Sequence, residues 1–282
     1  MSLAVRGLSW VTRNISNLPG RWRIVHWLDR HEASFAALPP KTVRFAGDFR
    51  MRINPIDENG RWIYVNGYQA LERLTRHFVR LLRPGDCVID IGANVGYYTM
   101  VAAKLVGATG CVHAFEASPG VFSWLRTNAE LNPHASIRLH NQAVTDRCGE
   151  VTFYSASADR TGYSSIRDLG DVAHSSATVA AVTIDSILEE IPTTRLFKID
   201  VEGAELLVLK GMRGLIDRDR PHFILEIDDT FLRELGADAD QQCDFLREAG
   251  YELFRIAERG DLQPVTASPT DRCNILARPI RG

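Results

Sequence analysis

The stretch of this sequence best suited to chemistry is a glycine loop that follows a short apolar run. The loop runs from Asp90 to Gly96 as DIGANVG, between the strand-like CVI and the helix-like YYTMVA. In an open α/β sheet, ligands bind beyond the carboxyl ends of the strands, and the turn after the first strand contacts them. A dinucleotide-binding loop would read G-x-G-x-x-G and hold a pyrophosphate at the helix start. Asn94 stands where the second glycine is expected, and it hinders that close approach.

The carboxylate of Asp90 decides which ligand this loop predicts. Beside a phosphate it would cost roughly 1 to 4 kcal/mol at about 4 Å. S-adenosylmethionine has no phosphate and carries an ammonium and a sulfonium, so the same carboxylate attracts it, directly or through water. The sequence therefore predicts S-adenosylmethionine as the cofactor. The predicted loop contacts are Asp90, Gly92, Asn94 and Gly96.

Side chains at two later strand ends complete the predicted cofactor site. Glu116 closes the run VHAFE, where the alternation of strand and helix brings it to the ribose hydroxyls. Dinucleotide cofactors share this contact, so Glu116 alone does not discriminate, and a solvated strand-end charge is the alternative. Ala117 is assigned to the same site. Asn141, Gln142 and Ala143 follow the third strand, where an adenine edge would lie, although polar residues there are also common turn formers.

The motif KIDVEGAE supplies the candidate catalytic residues. Lys198 and Asp200 are two apart on a predicted strand and therefore point to the same face. An aliphatic hydroxyl is a poor nucleophile until its proton is being removed, and a positioned carboxylate can accept that proton. We expect Asp200 to act as the base or to orient the substrate. Glu226, in the adjacent run FILEI, is the competing base, and Lys198 would pair with either carboxylate.

Other polar residues near this motif are weaker candidates. Glu202 and Glu205 open the next helix, where acidic residues stabilise the helix dipole; this structural reading is favoured, and Glu202 is also kept as a substrate candidate. Tyr163 and Ser164 lie in a Ser/Gly-rich insert and are candidates for acceptor contact, with a plain surface loop as the alternative. No metal is predicted, because the histidines lack ligand-like pairing, although the strand-end acids form a suggestive cluster.

From Asp86 onward, short apolar runs alternate with helix-like segments. The runs CVIDI, CVHAFE, IRLHN, LFKID and FILEI are continuously apolar, as expected of strands buried on both faces of a parallel sheet. This pattern predicts a doubly wound, mostly parallel α/β sheet. The insert from Gly149 to Leu188 is too long for an ordinary connection and is expected to form a substrate-side loop or an extra hairpin.

Residues 1–40 form a basic arm that contains Trp10, Trp22 and Trp27 and is predicted to be helical. Such an arm could rest on an anionic membrane surface. The favoured reading is that its tryptophans pack on the main domain or on a second subunit, as in a homodimer, because apolar spacing alone does not separate core from interface.

Two segments follow the arm. Apolar residues alternate around the turn Asp57–Gly60 and predict a β-hairpin over residues 41–66. The stretch Tyr68–Leu82 has helical apolar spacing and belongs to the cofactor-binding domain of residues 67–282.

The bulk composition predicts a cytoplasmic globular protein that does not bind nucleic acid. The chain has 282 residues, a net charge of −2 and a pI near 6.5, so no global positive field is available to hold a polyanion. Its five cysteines are scattered and lack C-x-x-C spacing, as expected of reduced thiols in the cytosol. No apolar run is long enough to span a membrane, and the first residues lack the basic start of a secretory signal.

Five stretches share their pattern with a known group of enzymes: VIDIGANVGYYT, HAFEASP, TIDSIL, FKIDVEGAELLVLKGM and PHFILEI. From about Tyr64 to Tyr251 the chain resembles the FkbM family of S-adenosylmethionine-dependent methyltransferases. The resemblance implies the seven-stranded methyltransferase sheet and methyl transfer to a hydroxyl of a sugar, a glycan or a polyketide-type product. It also implies the same cofactor contacts in the glycine loop and at Glu116. Ala117 departs from the family, which typically has proline there.

Three other functions compete with this interpretation. A methyltransferase of nucleic-acid amines typically carries N/D-P-P-Y/F after the fourth strand, where this chain reads DVEG from Asp200 to Gly203. An NAD(P)-dependent oxidoreductase would share the glycine loop and Glu116. A binding module would hold S-adenosylmethionine without turnover. The acceptor depends on loops placed in three dimensions, which the sequence alone does not predict.

Overall fold

The structure is a computed structural model that describes residues 3–14, 23–24, 27, 30, 35, 38–68, 72–170 and 174–280, without the side chains of residues 3–6 and 13–14. Within these ranges the strands are β1 (Lys41–Ala46), β2 (Phe49–Ile53), β3 (Cys87–Ile91), β4 (Cys111–Phe115), β5 (Ile137–His140), β6 (Ala143–Val144), β7 (Gly149–Ala156), β8 (His174–Val182), β9 (Thr194–Ile199), β10 (His222–Ile227), β11 (Tyr251–Ile256), β12 (Leu262–Pro264) and β13 (Cys273–Pro279). The α-helices are α1 (Leu3–Asn14), α2 (Glu58–Asn66), α3 (Thr75–Leu81), α4 (Tyr97–Val106), α5 (Pro119–Glu130), α6 (Glu205–Lys210), α7 (Arg213–Asp219), α8 (Asp229–Glu234) and α9 (Ala239–Glu248). Short 3₁₀ helices cover Thr161–Tyr163 and Asp185–Glu190.

One large sheet positions the site, with the strand order β12-β11-β13-β10-β9-β3-β4-β5. The five strands from β10 to β5 pair in parallel, whereas β13 is antiparallel to both of its neighbours. The predicted doubly wound, mostly parallel α/β sheet is confirmed. The sheet has eight strands where seven were expected, because the short β12 adds to the edge of β11. The chain order reverses between β3 and β9, which is where such a sheet binds ligands.

The sheet separates two apolar cores, as expected of strands that are buried on both faces. Val88 and Leu196 belong to one buried cluster, and Ile89 and Phe197 belong to the other. Successive side chains of a strand point to opposite faces, so the polar Lys198 shares its face with Leu196.

The long insert forms a second, three-stranded sheet in the order β6-β8-β7. Strands β7 and β8 pair antiparallel, with Gly149 opposite Ala181 and Ala156 opposite His174. This pairing confirms the prediction of an extra hairpin. The segment between them carries the 3₁₀ helix Thr161–Tyr163.

The segment after the arm is only partly the predicted hairpin. Strands β1 and β2 do form an antiparallel pair, but they are joined at Gly47, which has φ +62°. The predicted strand after the Asp57–Gly60 turn is wrong, since Glu58–Asn66 is helix α2. The physical reason is the Asp57 carboxylate, which accepts a hydrogen bond from the Gly60 backbone N–H at 2.8 Å and caps the helix. The domain boundaries stay a prediction.

The helix predicted from Tyr68 to Leu82 is shorter in the structure. It begins at Thr75, because the Glu72 carboxylate accepts hydrogen bonds from the backbone N–H groups of Leu74 and Thr75 and so ends the preceding turn. Residues 69–71 of the prediction lie outside the described residues.

The basic arm contacts the main domain through small polar residues. Ser9 and Thr12 of α1 are buried, and the Thr12 hydroxyl donates to the Val65 carbonyl oxygen at 2.6 Å. Trp10 is 56% exposed, and Trp22 lies outside the described residues. Contact of the arm with a membrane or a second subunit remains a prediction.

Helix α5 and the turn that follows it cover the free edge of the β1–β2 hairpin with two asparagines, Asn128 and Asn132. The Asn128 side-chain oxygen accepts from the Arg52 backbone N–H at 2.6 Å, and its amide donates to the Val95 carbonyl at 2.7 Å. One turn later, Asn132 exchanges two hydrogen bonds with the backbone of Arg50. The hairpin is thereby tied to the glycine loop, and its edge is protected as sheet edges generally must be.

Replacing Asn128 by alanine is expected to lower the free energy of unfolding by about 2 to 4 kcal/mol, because it leaves the buried Val95 carbonyl and the partly buried Arg52 N–H without their partner. Urea unfolding followed by circular dichroism measures this loss. Arg126→Ala, at an exposed position of the same helix, is the control and should change stability by less than about 0.5 kcal/mol. Equal stability of the two variants would contradict the edge-covering role.

Candidate active site

Three residues of the glycine loop after β3 lie in the left-handed region: Gly92, Asn94 and Gly96. Gly92 has φ +76°, and an added Cβ would lie 1.8 Å from the carbonyl oxygen of Asp200. Gly96 has φ +96° and would place a Cβ 2.8 Å from the Leu125 side chain. Asn94 has φ +51°, which asparagine tolerates better than most residues. Both glycines are therefore required for the loop to pass between β9 and α5.

Asp90 lies inside the sheet, and it is not one of the described residues that line the cavity. It is 1% exposed, and one of its oxygens, Oδ2, accepts from the Thr99 hydroxyl at 2.6 Å. The other oxygen, Oδ1, is buried and accepts no hydrogen bond from the described residues. Burial raises the pKa of Asp90, and the charge of Lys198 opposes this shift. The predicted Asp90 carboxyl group is thus present beside the loop but buried; its contact with a cofactor stays a prediction.

Glu116 stands at the end of β4 and holds the loop in place. Its Oε2 accepts from the backbone N–H of Asn94 and its Oε1 from that of Ser118, both at 2.9 Å. Burial raises the pKa of Glu116 to about 7. The Asn141 amide donates to the carbonyl oxygens of Glu116 and Ala117, so it supports this strand end.

A cavity of about 620 Å³ opens above the carboxyl ends of these strands. Most of the residues predicted for the site line it: Gly92, Asn94, Glu116, Ala117, Gln142, Ala143, Tyr163, Ser164, Lys198, Asp200, Glu202 and Glu226. Asp90, Gly96 and Asn141 are not among its lining residues. Further walls come from α2, the start of α4, the insert, Glu72, Arg73 and Arg272. Of these, the insert alone was predicted to line a substrate site.

Lys198 and Asp200 form an ion pair on the cavity wall, with Lys198 Nζ 2.8 Å from Asp200 Oδ2. The lysine side chain is 4% exposed and that of the aspartate 36%. Burial raises the pKa of Asp200, but the ammonium of Lys198 outweighs it and the net pKa is lowered. Burial likewise lowers the pKa of Lys198, and its carboxylate neighbours raise it above the usual value. Both groups are therefore charged at neutral pH.

Arg272 joins two further carboxylates in the same cavity. Its Nη2 lies 2.8 Å from Glu202 Oε1, and its Nε donates to Glu226 Oε1 at 2.8 Å. Burial and the neighbouring Asp200 raise the pKa of Glu202 to about 8 and that of Glu226 to about 7. Sequence reasoning missed Arg272, because it immediately precedes the last strand, β13, far along the chain from the motifs.

Glu205 has the structural role that the helix-dipole argument favours. Its two carboxylate oxygens accept from the backbone N–H groups of Val201 and Gly203, both at 3.0 Å. It therefore fixes the turn that follows Asp200. Glu202, by contrast, lines the cavity and has φ +54°.

A family model for the methyltransferase FkbM domain matches residues 90–253. The match covers more than half of the chain and includes both the glycine loop and the KIDVEGAE motif. The chain belongs to the FkbM methyltransferase family. It is therefore a methyltransferase, and the family implies S-adenosylmethionine as the methyl donor.

Two curated relatives extend this assignment. The chain is 32% identical over 225 residues to 31-O-demethyl-FK506 methyltransferase FkbM of Streptomyces tacrolimicus. This match covers 65% of this chain and 84% of that protein. It is 27% identical over 169 residues to hexuronic acid methyltransferase AglP of Haloferax volcanii. This second match covers 59% of this chain and 65% of that protein. Among solved structures, an FkbM methyltransferase of Methylobacillus flagellatus matches with 15% identity and a TM-score of 0.44, over 92% of this chain and 60% of that one.

Three acidic residues that could bind a metal ion also lie close together in the cavity. Asp200, Glu202 and Glu226 can bring one oxygen each within 4.8 Å of one another. Arg272 and Lys198 already bind these oxygens, so a cation would have to compete with two resident positive charges. The absence of a metal from the reaction stays a prediction. Within the described residues, no helix is both long enough and apolar enough to cross a bilayer.

Proposed function

We propose that the protein transfers a methyl group from S-adenosylmethionine to a hydroxyl oxygen of a sugar, a glycan or a polyketide-like natural product. One observation carries this proposal: the candidate base lies directly against the donor loop. An added Cβ at Gly92 would stand 1.8 Å from the Asp200 carbonyl oxygen, so the two backbones are already in contact. This backbone contact supports a role for the partly exposed Asp200 carboxylate beside a donor that occupies the loop.

The residues around the loop suit S-adenosylmethionine. Gly92 leaves the backbone bare at the cavity wall, and Glu116 offers carboxylate oxygens there to ribose hydroxyls. The buried Asp90 lies beside the loop, where its ionised form would favour a cationic ligand over a pyrophosphate. When bound, S-adenosylmethionine supplies an electrophilic methyl group on a positively charged sulfur.

Asp200 accepts the proton of the acceptor hydroxyl in this proposal. The ammonium of Lys198 keeps the carboxylate ionised at neutral pH and fixes its orientation. Glu226 has a pKa of about 7, nearer to the ideal of a general base, but its side chain is only 9% exposed and is held by Arg272. Exposure and freedom from a guanidinium favour Asp200.

The hydroxyl acceptor is supported by what two relatives are named for. One is named as a methyltransferase of 31-O-demethyl-FK506 and the other as a methyltransferase of hexuronic acid. The net charge of −2 gives no field for a nucleic-acid acceptor. A small molecule or a glycan is therefore the proposed partner.

The proposal is tested by incubating the protein with isotope-labelled S-adenosylmethionine and a panel of hexuronic acids, neutral sugars, hydroxylated macrolides and an RNA. Mass spectrometry of the products should locate the label in a methyl ether of a small molecule or glycan. Label in the RNA alone would contradict the proposed acceptor class.

The pKa of Glu116 makes cofactor affinity depend on pH. Because burial raises this pKa to about 7, the carboxyl is ionised above pH 7 and protonated below it. Ribose hydroxyls donate to the ionised form, so affinity should rise with pH and fall by up to about tenfold per unit below the pKa. Calorimetric titration with S-adenosylmethionine at about pH 6, 7 and 8 measures this change in affinity. In Glu116→Gln this part of the pH dependence should vanish; an unchanged profile in that variant would assign the dependence to another group.

A further inference from the structure

The Asp57 carboxylate joins helix α2 to the insert as well as capping the helix. Its Oδ2 accepts from the Gly60 backbone N–H at 2.8 Å. Its Oδ1 accepts from both the hydroxyl and the backbone N–H of Thr161, at 2.7 and 3.2 Å. Beside it, the Glu58 N–H donates to the Asp159 carbonyl at 3.1 Å. Asp57 is 2% exposed, so these hydrogen bonds are shielded from water.

The residues that Asp57 holds form part of the cavity wall. We call residues 157–164, between β7 and the bridge at Ser165, the strap. Arg160, Thr161 and Tyr163 of the strap line the cavity, as does Asn94 of the glycine loop. The Thr161 hydroxyl lies 3.4 Å from the Asn94 side-chain oxygen, so the strap reaches the donor loop itself.

The strap has few other anchors among the described residues. Arg160 and Tyr163 are exposed, and their backbone hydrogen bonds stay within the strap. Gly162 packs closely on α2, where an added Cβ would lie 2.9 Å from the Asn59 amide nitrogen. Without the Asp57 carboxylate, the strap would keep its turn but lose most of its hold on α2.

We propose that Asp57 is a positioning residue for methyl transfer, which fixes the strap across the cavity so that Arg160, Thr161 and Tyr163 complete the walls around both ligands. Asp57 acts through Thr161 and touches neither ligand. The inference rests on the proposed function only in that the cavity holds the methyl donor. Loss of the hydrogen bonds between Asp57 and Thr161 weakens donor binding and raises the KM for the acceptor. Asp200 and the transfer step remain unaltered.

Asp57→Asn separates the two roles of the carboxylate. Asparagine is as good an N-cap as aspartate, so its oxygen can still accept from the Gly60 N–H. The other position becomes an NH₂ group, which faces the Thr161 N–H donor to donor. Thr161→Val is the second variant, because it removes the hydroxyl and leaves Asp57 and the cap intact. Asp238→Asn is the matched control, since Asp238 caps α9 in the same way through the Gln241 N–H and does not line the cavity.

Two measurements on the whole protein test this role. Hydrogen exchange of the strap amides without ligand should be about tenfold faster in Asp57→Asn than in wild type, and unchanged in Asp238→Asn. Calorimetric titration with S-adenosylmethionine should show an affinity about tenfold lower in Asp57→Asn and lowered in the same direction in Thr161→Val.

The outcomes separate this inference from the proposed function. Failure of wild type to bind S-adenosylmethionine would refute the proposed function, while the exchange result would still report on the strap. Wild-type exchange and wild-type affinity in both Asp57→Asn and Thr161→Val would overturn the positioning role. If Asp57→Asn does not fold, as judged by circular dichroism, Thr161→Val decides by the same two measurements.

Discussion

Replacing Asp200 by asparagine is expected to lower turnover by about 10² to 10⁴, the usual contribution of a general base. Asparagine keeps the shape of the side chain and an oxygen that can accept from Lys198, but it cannot take the hydroxyl proton. Donor affinity should stay within about twofold of wild type, because the carboxylate contributes to transfer and not to the adenosyl site. The rate is measured with the acceptor found by isotope labelling, and the affinity by calorimetry.

Glu226→Gln is the informative companion to this variant. Glu226 is bound by Arg272 and is less exposed than Asp200, so its loss should affect turnover far less. A full rate in Asp200→Asn together with a large loss in Glu226→Gln would assign the proton to Glu226 instead. Glu226 competes with Asp200 for the role of base because the pKa of Glu226 is about 7.

Replacing Gly92 by alanine is expected to abolish detectable binding of S-adenosylmethionine. The new Cβ would stand 1.8 Å from the Asp200 carbonyl oxygen, so either the loop or the end of β9 must move. The positive φ adds a backbone strain of about 1 to 3 kcal/mol for any residue with a side chain. The loop and the candidate base would therefore separate, and calorimetry should show no heat of binding where wild type binds.

Gly107→Ala is the matched control for this substitution. Gly107 has φ +67° and ends helix α4, and nothing lies within 4 Å of an added Cβ there. The two variants share the backbone strain, but only Gly92→Ala has the clash. Equal donor affinity in both would show that contact between the loop and β9 is unimportant for binding.

The sheet and the glycine-loop side of the candidate site could be predicted from sequence because both depend on local pattern. Continuous apolar runs identified the buried strands, and the residues DIGANVG stand together in the chain as they do in the fold. The positions of Glu116 and Asp200 followed from one further rule, that parallel strands end at the same edge of the sheet.

The opposite side of the cavity could not be predicted in the same way, because its contacts join distant parts of the chain. Arg272 reaches Glu202 across 70 positions, and Asp57 reaches Thr161 across 104. The alternation that suggested a strand at Ile63 was overruled by a single helix cap at Asp57. Each of these contacts depends on how the insert and the hairpin pack on the sheet, which spacing along the chain does not encode.

The central claim is that a loop with a carboxyl group beside it selects a sulfonium donor. Its most direct test is a calorimetric titration of the wild-type protein with S-adenosylmethionine and, separately, with NADH. We predict a saturable heat of binding for S-adenosylmethionine, which is absent in Gly92→Ala, and none for NADH. Tight binding of NADH with no binding of S-adenosylmethionine would contradict the account.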